Sequence, residues 1–271
     1  MSKLAITLLY VLCFLSYCGQ QDKNTITIAG SESMQRSFIE LSKNIRNSTD
    51  SLSIDVQGGG SVQGIEKLQN GEANIALCSN ENLCDSIALS DGFKKVVTGY
   101  DAVVLIVNKK NIVRKLTDQQ IKDVFSGKIK SWTKFGGLSG DVIPITRDDE
   151  SGSQDFFANY FGISEIKGLG LKSNAEIVEY VQNNEGAIGF VSMSYYDTSV
   201  RGLEIYNSVK NEFVEPTYYQ LANGQYQLGR KLVMYINPEH KLANSFADYV
   251  SSTAGQTILS LTGMIPKSIF E

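Results

Sequence analysis

The chain has 271 residues, of which 42% are hydrophobic and 20% are charged. This length and composition are typical of a globular protein with one large domain or two lobes, and they exclude a disordered or repetitive chain. The formal net charge of −4, without a long run of lysine or arginine, argues against nucleic acid or an anionic membrane surface as a partner.

The N-terminal stretch has the pattern of a secretory signal peptide. Lys3 precedes an apolar run, Leu4 to Leu15, that is shorter than the roughly 20 residues a membrane-spanning helix needs. The sequence Leu-Ser-Tyr-Cys that ends at Cys18 resembles a bacterial lipobox, with Tyr17 where most lipoboxes have glycine or alanine. We therefore expect residues 1–17 to be removed and two acyl chains on Cys18 to anchor the exported protein at the periplasmic face of a membrane. Residues 18–23 would be the flexible tether.

After residue 24 the sequence alternates between strand-like and helix-like segments, which is typical of an α/β protein. Predicted strands cover residues 25–30, 52–58, 73–79, 102–108, 142–146 and 230–237. Predicted helices cover residues 34–48, 61–70 and 116–132, the last of them capped by Thr117, and residues 242–261 form one or two helices. Residues 174–192 are predicted as a helix, a turn and a strand.

The cysteines and the single histidine indicate neither a metal site nor a catalytic base. Cys78 and Cys84 lie six residues apart in a chain predicted to be exported, so they form either a small disulfide loop or two separate buried thiols. His240 lies in a short polar stretch after a proline and is predicted to be a surface residue. We expect no metal, no cofactor and no catalytic residue.

Three predicted strand-to-helix junctions are rich in glycine and serine. They are AGSES at 29–33, GGGSVQG at 58–64 and ESGSQ at 150–154. A helix N-terminus with unpaired N–H groups, close backbone approach at glycine and serine hydroxyl donors together favour anion binding. The alternative is that serine is only a common N-cap and glycine a common turn residue. Arg147, four residues before Ser151, favours the anion site because its guanidinium can share a ligand with that helix N-terminus.

Seven stretches resemble, in order, the periplasmic phosphate-binding proteins of bacterial ABC phosphate transporters, over about Thr25 to Pro266. They are TIAGSESM, VQGGGSVQGIEKLQNGEANIALCS, GYDAVVLIVNKKN, LTDQQIKDVFSGKIKSW, ITRDDESGSQDFF, GAIGFVSMSY and RKLVMYIN. The resemblance implies an α/β, two-lobe periplasmic binding protein fold of type II, with two crossover segments and an oxyanion in the cleft between the lobes. By the same resemblance, the first lobe comprises residues 24–99 and 230–271, and the second comprises residues 100–229.

The resemblance also implies which residues contact phosphate. The positions that match the family's ligand-binding pattern are Ser61, Arg147, Ser151, Gly152 and Ser153. Asp149 matches the aspartate that orients the arginine.

Two positions depart from the family's pattern. Glu32 stands where many members have threonine, and we expect it to contribute its backbone N–H while Ser31 or Ser33 supplies a hydroxyl. Asn80 stands where the family has an aspartate that accepts the proton of monohydrogen phosphate. An asparagine amide can also donate to sulfate, so this change reduces discrimination between the two anions.

The resemblance implies a monomer that binds inorganic phosphate outside the cytoplasmic membrane and delivers it to the permease subunits of an ABC importer. The nearest alternative is a binding protein for another tetrahedral oxyanion, such as sulfate or molybdate. A lipid-anchored hydrolase is less favoured because His240 is the only histidine and the serines do not have nucleophile-elbow spacing. A lipid-anchored adhesin is a third alternative.

Overall fold

The structure is a computed structural model that describes residues 24–46, 52–136, 140–148 and 150–270. The predicted signal peptide, the predicted tether with its lipid site Cys18, and Asp149 lie outside the described residues. Within those ranges, every helix is too short or too polar to cross a membrane.

Strands and helices alternate along most of the chain. The strands are β1 (Thr25–Gly30), β2 (Ser53–Gly59), β3 (Ile75–Cys78), β4 (Lys94–Val107), β5 (Lys115–Leu116), β6 (Ile143–Arg147), β7 (Leu169–Leu171), β8 (Ala187–Ser192), β9 (Arg201–Gly202), β10 (Glu204–Asn207), β11 (Glu212–Val214), β12 (Gly229–Ile236) and β13 (Ile265–Pro266). The α-helices are α1 (Glu32–Arg46), α2 (Ser61–Gln69), α3 (Glu81–Ala88), α4 (Asp118–Phe125), α5 (Gly152–Phe161), α6 (Asn174–Asn183), α7 (Tyr218–Ala222), α8 (Lys241–Ser251) and α9 (Thr253–Leu261).

One curled sheet runs through both halves of the molecule in the order β2-β1-β3-β12-β4-β8-β6-β7, with β9 and β13 also paired to β4. Strand β1 is parallel to β2 and β3, and β6 is parallel to β7 and β8. The long strand β4 joins the halves, because it pairs with β12 from Lys94 to Ala102 and with β8 from Val103 to Val107. Strands β11, β10 and β5 form a separate small sheet.

The two halves have separate hydrophobic cores, as expected for two lobes. The first lobe packs β1, β3 and β12 against α1 and α8, with Phe38 and Phe246 in contact at its centre. The core of the second lobe is built around Phe125, Phe157 and Phe190, of which Phe157 and Phe190 are stacked with ring centroids 4.2 Å apart. The predicted α/β, two-lobe fold is confirmed.

The local predictions agree with the structure except at element ends, at β4 and in the predicted helix over residues 116–132, which ends at Phe125. Thr117 caps α4 and forms a capping box with Gln120, and the C-terminal segment forms the two helices α8 and α9. The prediction for β4 was too short because residues 94–101 are partly polar and lack the apolar run that marked the rest of the strand. Their pairing with β12 makes them strand.

A disulfide joins Cys78 and Cys84, which settles the alternative that the sequence left open. Cys78 ends β3 and Cys84 lies in α3, so the bond closes the short loop that carries Ser79 and Asn80. This loop is one of the strand-to-helix junctions of the first lobe, and a covalent ring limits the conformations it can adopt.

Candidate functional site

The glycine- and serine-rich junctions meet where the two lobes face each other. Ser33 Oγ of the first lobe lies 3.1 Å from Ser153 Oγ of the second. Ser61 Oγ accepts a hydrogen bond from the backbone N–H of Ser79 at 3.2 Å. A Cβ added to Gly152 would lie 2.4 Å from Ser61 Oγ. The structure thus brings the predicted residues Ser33, Ser61, Gly152 and Ser153 together across the interlobe cleft.

Close backbone approach explains a glycine in the second junction. Gly60 immediately precedes α2 and has a φ of 100°. A Cβ at this position would lie 2.2 Å from the backbone oxygen of Glu150 in the opposite lobe. A left-handed φ and an interlobe contact both require glycine here.

Three helices at this site, α2, α3 and α5, have no side-chain N-caps. Gly60, Asn80 and Ser151 precede α2, α3 and α5, and none of the three makes a side-chain capping hydrogen bond. Asparagine and serine are among the best capping residues, so their failure to cap is unusual. By contrast, side-chain caps are present at α4, α6, α7, α8 and α9, whose starts are Thr117, Ser173, Thr217, His240 and Ser252. No side-chain cap therefore competes for the first-turn N–H groups of α2, α3 and α5. Of these, the Gln154 N–H donates to the backbone oxygen of Ser151, and the others are placed to donate to an anion.

Arg147 supplies a buried positive charge at the end of β6. Its side chain is 3% exposed; Nη2 donates to the backbone oxygen of Lys172 at 2.7 Å, and Nη1 donates to Glu32 Oε2 at 3.3 Å. Among the described residues, none accepts a hydrogen bond from Nε. Burial lowers the pKa of the guanidinium from its usual value, and the charges of Glu32 and Asp148 act in the opposite direction. Arginine stays protonated at neutral pH, so Nε–H remains a charged donor.

Glu32 uses its side chain in a way that the sequence did not predict. We expected only its backbone N–H to matter, but its carboxylate contacts Arg147 and Asn174 of the other lobe. Asp149, the residue predicted to orient Arg147, lies outside the described residues. Ser31, Asn80 and Ser151 are buried in the same junctions, with exposed fractions of 2%, 6% and 2%. Their contact with a ligand stays a prediction.

A second arginine, Arg230, lies behind the serines and was missed at the sequence level. Nη1 donates to Ser153 Oγ at 2.9 Å, and Nη2 donates to Ser33 Oγ at 3.2 Å. Asp101, on β4, accepts from Arg230 Nε and Nη2 at 3.2 and 2.8 Å. The sequence signal was an aspartate beside a fully apolar strand and an arginine that begins another, but their pairing over 129 residues is visible only in three dimensions.

The contacts of Arg230 determine how the serine hydroxyls can act. A hydroxyl has one proton to donate and two lone pairs, and Arg230 fills one lone pair on each of Ser33 and Ser153. The hydrogen bond between these two serines uses the proton of only one of them. These contacts do not use the other proton, so the pair can donate to a ligand that accepts a hydrogen bond.

Apart from the carboxylate of Glu32, which accepts from Arg147 and Asn174, the side chains that meet at this site can donate hydrogen bonds, which matches a ligand rich in acceptors. A serine nucleophile would need a base to take its proton, but the charged partner of Ser33 and Ser153 is an arginine, which cannot accept one. The nitrogen Nδ1 of His240 accepts a hydrogen bond from the Ala243 N–H at the start of α8. The arrangement can hold a compact oxyanion through N–H and O–H donors.

Gly152→Ala should weaken binding of an oxyanion without unfolding the protein. The new Cβ would lie 2.4 Å from Ser61 Oγ and 3.0 Å from Ser79 Oγ. This overpacking would destabilise the closed cleft by about 1 to 3 kcal/mol. Phosphate titration by calorimetry measures the loss. Gly170→Ala is the matched control because its nearest atom is 3.7 Å away. Equal affinity in both variants would show that α5 does not approach Ser61 in the bound protein.

Comparison with known proteins adds relatives whose names agree with an oxyanion site. Phosphate-binding protein PstS of Borreliella burgdorferi is 27% identical over 280 residues, covering 98% of this chain and 99% of that protein. Phosphate-binding protein PstS of Bacillus subtilis is also 27% identical, over 91% of this chain and 82% of the relative. The chain is thus similar to these proteins over nearly its whole length.

Solved structures give the same result for the fold. A phosphate ABC transporter substrate-binding protein from Clostridium perfringens, with bound phosphate, matches with a TM-score of 0.81 and 29% identity, over 90% of this chain and 99% of that one. An ABC-type phosphate transport receptor from Vibrio cholerae matches with a TM-score of 0.73 and 27% identity, over 89% and 99%. The model of the PBP superfamily domain matches residues 17–254. The chain therefore belongs to the PBP superfamily.

Proposed function

We propose that this protein binds inorganic phosphate outside the cytoplasmic membrane and delivers it to an ABC importer. The observation that carries the proposal is the convergence of three uncapped helix N-termini on the cleft where Arg147 and the serines lie. A dehydrated tetrahedral anion needs many donors at short range, and this cleft supplies backbone N–H, hydroxyl and guanidinium groups together. The names of the relatives, phosphate-binding protein PstS, support phosphate as the anion.

The proposed site comprises the residues that the sequence indicated. They are Ser31, Glu32, Ser33, Ser61, Asn80, Arg147, Ser151, Gly152 and Ser153, with Asp149 as a residue that orients Arg147. Glu32 would contribute its backbone N–H. Another tetrahedral oxyanion, such as sulfate or molybdate, is the second candidate, because Asn80 lacks the negative charge that would repel an unprotonated dianion.

The pairing of β4 and β12 supports the proposed organisation, which the family resemblance implies. The first lobe would comprise residues 24–99 and 230–271 and the second residues 100–229, and the pairing partner of β4 changes at Ala102 and Val103, close to the proposed boundary. A monomer tethered through Cys18 would present both lobes to the permease subunits. Incorporation of labelled palmitate, compared between the wild type and Cys18→Ala, tests the anchor.

Calorimetric titration of the delipidated protein, stripped of endogenous ligand, tests the function. Phosphate, sulfate, arsenate and molybdate are titrated separately. We expect saturable binding of phosphate and of its close analogue arsenate, and weaker binding of sulfate and molybdate. Tighter binding of sulfate or molybdate would move the assignment to the second candidate, and no binding of any oxyanion would refute the proposal.

Asn80→Asp should increase the preference for phosphate over sulfate by roughly tenfold or more. A carboxylate in this buried loop repels an unprotonated dianion, whereas monohydrogen phosphate can donate its proton to it. Paired titrations of the wild type and the variant, at pH values above and below the second pKa of phosphate, measure both affinities. If the two affinities change together, residue 80 does not face the ligand.

A further inference from the structure

Glu32 makes a concentrated set of contacts between the lobes. It is the first residue of α1 in the first lobe, and its side chain is 11% exposed. One carboxylate oxygen, Oε2, accepts from Arg147 Nη1 at 3.3 Å, from the backbone N–H of Asn174 at 3.1 Å and from Asn174 Nδ2. All three donors belong to the second lobe, at the end of β6 and the start of α6.

We propose that Glu32 is an interlobe latch, a positioning residue whose carboxylate holds Arg147 and the start of α6 against the first lobe and so favours the closed cleft before any ligand binds. Its consequence for phosphate affinity rests on the proposed function. Its consequence for the shape of the ligand-free protein does not.

The electrostatics of the contact favour a latch. A carboxylate that accepts from a guanidinium and from a helix N-terminus makes charge-assisted hydrogen bonds, which are about twice as strong as neutral ones. The side chains of Arg147 and Asn174 are almost fully buried, so solvent screens these contacts little. Separating the lobes at this point would break all three hydrogen bonds that Glu32 Oε2 accepts.

The donors are themselves held in place by the rest of the second lobe. Asn174 Oδ1 accepts from the backbone N–H of Ser192 at 2.9 Å, and Ser192 Oγ donates to Asp101 Oδ1 at 3.0 Å. On the other side of Glu32, the Tyr195 hydroxyl donates to its backbone oxygen at 3.3 Å. Glu32 therefore contacts a hydrogen-bonded network rather than mobile side chains. Because this network belongs to the second lobe, its contacts with Glu32 constrain the position of that lobe relative to the first.

The same contacts distinguish a latch from a carboxylate that competes with the ligand for Arg147. A competitor would occupy the donors that the ligand needs, and its removal would tighten binding. Glu32 contacts Nη1, while Nε has no acceptor among the described residues. Removal of Glu32 should therefore weaken binding, because the closed form that binds the ligand becomes less populated.

The test compares Glu32→Ala and Glu32→Gln with wild type by small-angle scattering of stripped protein and by phosphate calorimetry. We expect Glu32→Ala to increase the radius of gyration of the stripped protein, to regain the wild-type value with saturating phosphate, and to bind phosphate about tenfold more weakly. Glu32→Gln keeps the size and one acceptor, so both effects should be smaller. Glu40→Ala is the matched control, because Glu40 lies on the same helix and pairs only with the exposed Lys43 at 2.6 Å among the described residues.

The outcomes separate the latch from the proposed function. An unchanged radius of gyration in both Glu32 variants, or tighter phosphate binding, overturns the latch. Another outcome is that the stripped wild type binds no phosphate while the stripped Glu32→Ala variant still has a larger radius of gyration than the stripped Glu40→Ala variant. In that case the latch stands and the proposed function fails. Should Glu32→Ala not fold, judged by circular dichroism, the Glu32→Gln comparison decides between the same outcomes.

Discussion

Arg147→Ala is expected to weaken phosphate binding by about 2 to 5 kcal/mol, or roughly 30- to 4,000-fold. The side chain is 3% exposed and lies at the cleft, so its charge acts with little screening by solvent. Truncation removes the charged Nε–H donor and also leaves Glu32 without its guanidinium partner. Calorimetric titration with phosphate measures the loss.

Arg147→Lys should be intermediate and separates charge from geometry. The lysine keeps the positive charge, but a single ammonium cannot reach Glu32, the backbone oxygen of Lys172 and a ligand together as the planar guanidinium can. We expect a loss of about 1.5 to 3 kcal/mol. Arg114→Ala serves as the control, since Arg114 Nη1 donates to a backbone oxygen at Asn111 outside the site. Wild-type affinity in Arg147→Ala would show that this arginine does not contact the ligand.

Much of the fold could be predicted because its signals are local. Apolar runs marked the buried strands, and Thr117 marked the start of α4. Glycine and serine at strand-to-helix junctions indicated an anion site because helix N-termini have the same chemistry in any fold. These features depend on neighbours within a few residues, so a single sequence contains them.

The rest of the site could not be predicted because it depends on partners far apart in the chain. Glu32 contacts Asn174, which is 142 residues away, and Arg230 contacts Ser33 across 197 residues. In sequence, Glu32 looks like an ordinary acidic residue in the first turn of a helix, where the dipole favours it. Only the closed arrangement of the lobes shows that the Glu32 carboxylate reaches the second lobe. The extent of β4 was likewise decided by pairing with β12.

Asp101→Ala should lower the free energy of unfolding by about 3 to 5 kcal/mol, because it leaves Arg230 buried without its negative partner. The two side chains are 1% and 3% exposed, and their closest contact is 2.8 Å. Asp101 Oδ1 also accepts from Ser192 Oγ and from the backbone N–H of Met193, so the substitution removes two further hydrogen bonds. Urea denaturation with a two-state fit measures the change.

The exposed pair of Lys110 and Glu185 provides the comparison. Its side chains are 75% and 61% exposed, so Glu185→Ala should cost less than about 1 kcal/mol. The double variant Asp101→Leu with Arg230→Met should be less destabilised than Asp101→Ala, because it leaves no charge buried alone. It should still bind phosphate poorly, since Ser33 and Ser153 lose the donor that fixes their hydroxyl protons. Asp101→Ala could lower the free energy of unfolding no more than Glu185→Ala does. That result would show that the buried pair does not stabilise β4 and β12, and that Arg230 is held by the serines instead.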